Sequence, residues 1–146
     1  MVKKGIILAG GSGTRLSPLT KAVNKQLLPL YDKPLIFYPL SILMLANIKN
    51  ILMIVNPGQI ENFKNLLGDG KRYGIKIAYK IQNKPRGLPE AFILGKNFIK
   101  NDNVALILGD NFFYGQSLTS KLEKSLLHKN GARIFLKKVN KPENYG

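Results

Sequence analysis

The sequence predicts an α/β fold, a three-layer arrangement in which a mostly parallel β-sheet is covered by helices on both faces. Short runs that are apolar at every position alternate along the chain with longer amphipathic stretches. Uninterrupted apolar runs are typical of strands buried on both faces, and regular alternation of strand and helix favours parallel strands joined by crossover helices. The 146 residues, 45% of them hydrophobic, are interpreted as one domain over 1–146.

Five strands are predicted. Four are apolar on both faces and are expected to be covered by helices on both sides, at residues 5–9, 51–55, 104–108 and 134–136. The fifth, at 75–81, alternates, with Lys76 and Lys80 directed outward. That alternation indicates a more exposed strand.

Helices are predicted between the strands, at residues 34–46, 59–67, 88–99 and 118–128. Pro39 lies inside the first of them and should kink it or delay its regular start, because proline has no amide hydrogen and clashes with the preceding turn. In the last, leucines four residues apart mark one apolar face. Ser120 and Glu123 are interpreted as a capping box, and Gly131 as the stop signal.

The chain is strongly basic, with 23 lysines and arginines against 8 acidic residues and a formal charge of +15. Such a balance raises nucleic acid as a partner. The lysines are scattered, with at most two basic residues adjacent, which favours a compositional bias of the surface. Attraction of small polyanionic substrates and nucleic-acid binding remain the alternatives, and no nucleic-acid partner is expected.

Several site and location classes are excluded or disfavoured by composition. The sequence contains no cysteine, so disulfides, thiolate nucleophiles and cysteine metal sites are excluded. The N-terminal apolar run is too short for an export signal, and no stretch approaches the ~20 apolar residues that a membrane helix needs. We therefore expect a cytoplasmic protein without a membrane partner.

The strongest motif is a glycine loop, LAGGSGTRL at residues 8–16, which follows the first buried strand. Gly10, Gly11 and Gly13 allow positive φ angles and close backbone approach, so successive amides can point at phosphate oxygens that Arg15 neutralises. Neither a P-loop nor a dinucleotide fingerprint is present, since Leu16 stands where the latter needs its third glycine. The loop predicts a nucleoside triphosphate site, against the alternative of a turn without a ligand.

Two further side chains carry candidate chemistry. Asp110 follows a buried strand at its carboxyl end, where a carboxylate can hold Mg²⁺ together with phosphate oxygens. The alternative is a turn aspartate, because Gly109 and Asn111 flank it. Gln82 follows the exposed strand, and its amide matches the ring edge of thymine or uracil. The alternative interpretation of Gln82 is an ordinary loop glutamine that binds no base.

Four segments carry a resemblance to a known family: LAGGSGTRLSPLT at 8–20, KQLLPLYDKPLIFYPLSILMLANIKNILMI at 25–54, GLPEAFILG at 87–95 and LILGDNFFYG at 106–115. They cover essentially the whole chain in the family's order. The sequence is identified as a member of the sugar nucleotidyltransferases, with a Rossmann-like fold, and is similar to their glucose-1-phosphate thymidylyltransferase branch. The first segment is shared across the family, whereas the second is particular to this branch.

The resemblance implies transfer of a thymidylyl group from dTTP to glucose 1-phosphate, with Mg²⁺ as cofactor, release of pyrophosphate and formation of dTDP-glucose. Homotetramers and dTDP-rhamnose synthesis are usual in this branch. The rival branch uses UTP. The implied site residues are, for catalysis, Arg15 and Lys25; for nucleotide binding, Leu8, Gly10, Gly11, Gly13, Thr14, Gln82 and Gly87; for the metal, Asp110; and for the sugar, Tyr145 and Gly146.

Family members continue for about as long again past the equivalent of Gly146. That part supplies most of the sugar pocket, a second acidic metal ligand and much of the subunit interface. We therefore interpret the chain as a truncated, N-terminal nucleotide-binding portion, which should bind dTTP weakly at best, turn over inefficiently and aggregate or depend on a second chain. The other hypotheses are a non-catalytic remnant or binding module and a basic nucleic-acid binder.

Overall fold

The computed structural model describes residues 2–11, 13–127, 130–141 and 143. Its strands are β1 Lys4–Ala9, β2 Pro29–Leu30, β3 Lys33–Pro34, β4 Asn50–Val55, β5 Lys76–Ile81 and β6 Val104–Leu108. Its α-helices are α1 Leu19–Ala22, α2 Phe37–Leu45, α3 Ile60–Leu67, α4 Glu90–Leu94, α5 Lys96–Ile99 and α6 Leu118–Leu126. Short 3-10 helices span Thr14–Leu16, Lys25–Leu27 and Lys71–Tyr73.

The main sheet has the strand order β5-β4-β1-β6, and every pairing in it is parallel. Strand β1 is central, with Ile6 opposite Leu52 of β4 and Leu106 of β6. The predictions at 5–9, 51–55, 75–81 and 104–108 are confirmed within one residue at each end. Strand β5 is the more exposed strand that its alternating pattern indicated, and it lies at one edge with β6 at the other. A small antiparallel pair, β2-β3, stands apart from this sheet.

Helices cover both faces, which confirms the three-layer α/β prediction. On one face, Ile7, Met53 and Phe63 belong to a large buried cluster that includes side chains of α2, α3 and α6. On the other, Ile6 and Leu52 pack with α4 and α5. Neighbouring strand residues point to opposite faces, so the uninterrupted apolar runs fill both clusters. None of the helices in the described part of the chain is long and apolar enough to span a membrane.

The prediction of a buried strand at 134–136 is wrong. These residues form no strand, and Ile134 and Leu136 are 73% and 85% exposed. A strand requires hydrogen bonds from a neighbouring chain segment, whereas an apolar run of three residues shows only that burial would be favourable. The local pattern was therefore insufficient to define a strand.

Two helix predictions needed correction. The helix expected at 88–99 is divided at Gly95 into α4 and α5. A methyl group at Gly95 would lie 2.9 Å from the carbonyl oxygen of Ala91 and 3.0 Å from Ile6, so glycine lets the helix approach the sheet there. The prediction of a Ser120–Glu123 capping box is also wrong. Helix α6 begins at Leu118, so Ser120 lies inside the helix and does not precede it.

The remaining helix predictions are confirmed in outline. Helix α2 begins at Phe37, three residues later than the apolar pattern suggested, and places Pro39 in its first turn, where an amide hydrogen is dispensable. Helix α3 agrees within one residue with the prediction at 59–67. Helix α6 ends at Leu126, and His128, the predicted last residue, lies outside the described residues.

The strand order reverses direction at β1. From β1 the chain continues to β4 and β5 on one side, and then returns to β6 on the other side of β1. Strands β1 and β6 are therefore parallel neighbours, and the segments that follow them start at the same, carboxyl end of the sheet. In open parallel sheets, ligands bind outside the carboxyl ends of the strands at this switch point.

Candidate functional site

The glycine loop follows β1 at the switch point, and side chains from distant parts of the sequence fix its backbone. Asn56 directly follows β4, and its Nδ2 donates to the carbonyl oxygen of Gly11 at 2.9 Å. The amide of Gly11 donates in return to Oδ1 of Asn56 at 3.3 Å. Nε2 of Gln26 donates to the carbonyl oxygen of Gly10 at 3.2 Å. The loop is thus held from two sides.

The end of the loop is fixed at Gly13. Its φ is +61°, and a methyl group there would lie 2.7 Å from Cγ2 of Thr20 and 3.2 Å from Cβ of Lys25. Oγ1 of Thr20 donates to the carbonyl oxygen of Gly13 at 2.8 Å. Both the left-handed conformation and the lack of space require glycine at this position. Ser12 lies outside the described residues.

Lys25 and Asp110 form an ion pair at the carboxyl end of the sheet. Nζ of Lys25 lies 2.7 Å from Oδ2 of Asp110, and the two side chains are 31% and 33% exposed. Lys25 begins the 3-10 helix Lys25–Leu27, and Asp110 lies two residues after β6. A cation and a carboxylate separated by 85 positions in sequence therefore meet beside the glycine loop.

Gln26 is buried between the segment that follows β1 and the segment that follows β6. Its side chain is 3% exposed, and a methyl group at Gly109 would lie 2.9 Å from its Cγ. Its Nε2 is bound to Gly10, while its Oε1 has no hydrogen-bond partner among the described residues. A buried acceptor without a partner is unusual in folded proteins.

Gln82 is buried directly beside Gly10 of the glycine loop. It is 4% exposed, and a methyl group at Gly10 would lie only 2.8 Å from its Oε1. Its Nε2 donates to Oε2 of Glu90 at 2.7 Å. The amide of Gln82 is therefore brought next to the glycine loop, with one of its donors already occupied.

Other residues predicted for the site are less constrained. Arg15 and Thr14 lie in the 3-10 helix Thr14–Leu16 with exposed side chains. Leu8 is half-buried in β1 and packs in the smaller core cluster. Gly87 lies in an exposed loop with φ +90°.

The predicted sugar-binding residues Tyr145 and Gly146 lie outside the described residues. The structure therefore brings together Gly10, Gln82, Lys25 and Asp110, together with the backbone at Gly11 and Gly13.

Sequence reasoning missed Asn56, Gln26, Thr20 and Glu90. Asn56 follows the buried strand β4 directly, so the rule that drew attention to Asp110 would have found it. Gln26 adjoins Lys25 within the KQLLP segment. Thr20 and Glu90 lie inside quoted motifs, but nothing local indicates that they contact the loop or Gln82.

Comparison with known proteins decides the family. A family model described as nucleotidyl transferase matches residues 4–146. The chain belongs to the nucleotidyl transferase family. A curated relative, glucose-1-phosphate thymidylyltransferase from Neisseria meningitidis, is 58% identical over 143 residues, which are 98% of this chain and 50% of the relative.

Solved structures agree with this family membership. A Bacillus anthracis protein, assigned as a glucose-1-phosphate thymidylyltransferase and solved with sucrose, superposes with a TM-score of 0.89 at 37% identity, covering 98% of this chain and 58% of that one. A UDP-glucose pyrophosphorylase solved with UDP-glucose has a TM-score of 0.68 at 29% identity, covering 85% of this chain and 52% of that one. The chain spans about half the length of the curated relatives it matches.

Proposed function

We propose that this chain carries the nucleotide-binding part of an enzyme that transfers a thymidylyl group from dTTP to glucose 1-phosphate. One observation carries the proposal: a glycine loop with a fixed backbone lies beside the Lys25–Asp110 ion pair at the switch point of a parallel sheet. Fixed backbone next to one cation and one carboxylate suits a triphosphate and its counter-ion. The names of similar curated relatives support the thymidylyl assignment.

In the proposed reaction, a phosphate oxygen of glucose 1-phosphate attacks the α-phosphorus of dTTP. The bond from that phosphorus to the bridging oxygen breaks, and pyrophosphate leaves with the electron pair. Such displacements depend on alignment and on neutralisation of charge more than on covalent help from the protein. Lys25 supplies a positive charge beside the glycine loop, and the exposed guanidinium of Arg15 is proposed to bind the departing pyrophosphate.

Asp110 fits a Mg²⁺ ion bound together with substrate phosphates. Its carboxylate is one-third exposed, and only Oδ2 is engaged by Lys25. No cluster of three or more potential metal-binding side chains is found within the described ranges. Mg²⁺ is commonly bound through one or two carboxylates, with phosphates and water completing its shell. When bound, the ion neutralises phosphate charge.

Gln82 is proposed to recognise the thymine ring, because its amide oxygen lies beside Gly10 and its NH₂ group, bound to Glu90 through one hydrogen, has a second hydrogen to donate. Leu8, Thr14 and Gly87 are proposed to complete the nucleotide site. Tyr145 and Gly146 are proposed for the sugar. The assignment of 1–146 as an N-terminal nucleotide-binding portion, a homotetrameric parent enzyme and a cytoplasmic location belong to the same proposal.

Isothermal titration of the chain with dTTP, dCTP and tripolyphosphate, each with Mg²⁺, tests the proposed site. We expect dTTP to bind more tightly than the other two ligands, because only dTTP has both the triphosphate and a matching base. Equal affinities for dTTP and tripolyphosphate would contradict base recognition. Single-stranded DNA that displaces dTTP at physiological salt would instead support the nucleic-acid hypothesis.

UTP is the second candidate nucleotide, because the fold also resembles a UDP-glucose pyrophosphorylase. Thymine and uracil differ by one methyl group, which contributes about 1–3 kcal/mol, or roughly 5- to 150-fold, to discrimination. We therefore expect UTP to bind measurably but less tightly than dTTP. A higher affinity for UTP in the same titration would favour the uridylyl assignment.

A further inference from the structure

Glu90 connects the candidate base-recognition residue to the loop that follows β5. Its Oε2 accepts a hydrogen bond from Nε2 of Gln82 at 2.7 Å. The same oxygen accepts from the backbone amide of Arg86 at 3.2 Å. Glu90 is the first residue of α4 and is half-buried. One carboxylate therefore holds both ends of the 82–86 segment.

The contact with Glu90 determines which way the amide of Gln82 faces. An ionised carboxylate only accepts hydrogen bonds, so the atom of Gln82 that faces it must be the NH₂ group. The amide oxygen is then directed to the other side, where it lies close to Gly10. A glutamine without this partner could rotate its amide and exchange the positions of donor and acceptor.

We propose that Glu90 is a positioning residue that selects the base by fixing the amide orientation of Gln82. The inference rests on the proposed function, in which Gln82 recognises the base. Thymine and uracil present a ring N–H between two carbonyl oxygens. Cytosine presents an unprotonated ring nitrogen beside an amino group, which is the reverse order of donor and acceptor. A fixed amide complements the first arrangement and opposes the second.

The hydrogen bond from the Arg86 amide gives the Glu90 carboxylate a second effect. By accepting a hydrogen bond from the Arg86 amide, Glu90 fixes the backbone just before Gly87, whose φ is +90°. Loss of Glu90 would therefore free the base loop and the Gln82 amide together. Neither contact involves the residues proposed to bind phosphates, so binding of a ligand without a base should be unaffected.

Isothermal titration of the whole chain with dTTP, dCTP and tripolyphosphate, each with Mg²⁺, provides the test. The variants are Glu90→Ala, Glu90→Gln and, as a matched control for loss of one negative charge, Glu61→Ala. Glu61 lies on α3 with a 76% exposed side chain that pairs only with Lys64 among the described residues. Circular dichroism and thermal unfolding establish that each variant is folded.

We expect Glu90→Ala to lower the ratio of dTTP to dCTP affinity by about tenfold, the size of one hydrogen bond to a charged group. Its affinity for tripolyphosphate should equal that of the wild-type chain. Glu90→Gln retains an acceptor oxygen but can also present its NH₂ group, so its ratio should fall between those of wild type and Glu90→Ala. Glu61→Ala should match wild type for all three ligands.

Two results would overturn this inference without contradicting the proposed function. One is an unchanged ratio of dTTP to dCTP affinity in Glu90→Ala. The other is an equal loss of tripolyphosphate and dTTP affinity in the same variant. Should Glu90→Ala not fold, an unchanged ratio in Glu90→Gln would overturn it equally. A wild-type chain that binds dTTP and dCTP with the same affinity would instead overturn the proposed function, and this inference with it. The wild-type titration thus separates the two failures.

Discussion

At the scale of single residues, the candidate site depends on contacts that link distant parts of the sequence. The Lys25–Asp110 pair is only about one-third exposed and joins segments that follow different strands. The pairs Lys33–Asp32 and Lys71–Asp69 join near neighbours on the surface. Exposed pairs of this kind contribute little to stability, because water and salt screen them. Of these three ion pairs, Lys25–Asp110 is therefore the one whose loss should affect ligand binding.

Substitution of Lys25 by alanine tests the role of this cation. We expect Lys25→Ala to weaken dTTP binding by about 10- to 100-fold, because a charge-assisted hydrogen bond to phosphate is lost. Lys33→Ala removes the same charge at an exposed pair and should leave the affinity unchanged. Isothermal titration of both variants at one ionic strength provides the measurement. Equal losses in the two variants would show that only the overall charge matters.

Substitution of Gly10 by alanine tests whether the close approach of Gln82 to this glycine is needed for dTTP binding. A methyl group there would lie 2.8 Å from Oε1 of Gln82 and 3.2 Å from Oδ1 of Asn56, so Gly10→Ala should displace both side chains. We expect roughly tenfold weaker dTTP binding, about one hydrogen bond, in a folded chain. Gly58→Ala is the contrast, because Gly58 has open space but φ +75°. It should lower stability and leave dTTP affinity unchanged.

At the scale of elements, a tyrosine joins the edge strand to a helix. Tyr79 in β5 donates from its hydroxyl to the carbonyl oxygen of Gly68, which follows α3, at 2.7 Å. Burial raises the pKa of Tyr79 to about 12, with further contributions from Asp69 and Tyr73. The hydroxyl is thus kept protonated where it satisfies a carbonyl at the end of the helix.

The raised pKa predicts an alkaline loss of stability. Between pH ~10, where an unfolded tyrosine ionises, and pH ~12, the folded chain binds more protons at Tyr79 than the unfolded chain does. The free energy of unfolding therefore receives its full contribution from Tyr79 below pH ~10 and loses it as the pH rises towards ~12.

Urea unfolding at several pH values from 7 to 12 measures this effect. Tyr79→Phe should be less stable than wild type at pH 7, because the hydrogen bond to Gly68 is lost, and should show a shallower decline at alkaline pH. Tyr114→Phe is the control, since Tyr114 is 93% exposed. Parallel pH profiles for wild type and Tyr79→Phe would contradict the prediction.

At the scale of the whole molecule, charge and exposed apolar surface act in opposite directions. The formal charge of +15 favours mutual repulsion between copies and attraction of anionic ligands. The segment around residues 134–136 nevertheless leaves Ile134 73% exposed and Leu136 85% exposed. Exposed apolar groups of this kind promote association, and salt weakens the repulsion that opposes it.

Self-association that increases with salt is the expected consequence. The wild-type chain should shift to larger species when salt is raised, and the double variant Ile134→Ser, Leu136→Ser should shift less. Size-exclusion chromatography with light scattering over a concentration series measures both. Leu19→Ser, at a position 62% exposed and distant in sequence, is the control. A monomeric wild-type chain under all conditions would contradict the expectation.

Local patterns were sufficient for features that depend on composition over a few residues. Strands buried on both faces require apolar residues at every position, so β1, β4 and β6 were predicted from their runs. The glycine loop was found because positive φ and close packing exclude other residues, as at Gly13. The motif LILGDNFFYG placed Asp110 after a strand, and the family followed from the same segments.

Long-range packing decided the remainder. The pattern could not show that 134–136 forms no strand with the other described residues. It could not show either that the predicted helix divides at Gly95, which lies against Ile6, or that Lys25 reaches Asp110. Nor could it show that Glu90 accepts a hydrogen bond from Gln82. Each of these depends on which residues meet after the chain has folded, and burial patterns contain no information about the partner. Residue types and local spacing thus indicated the chemistry of the site, whereas tertiary contacts determined which side chains surround it.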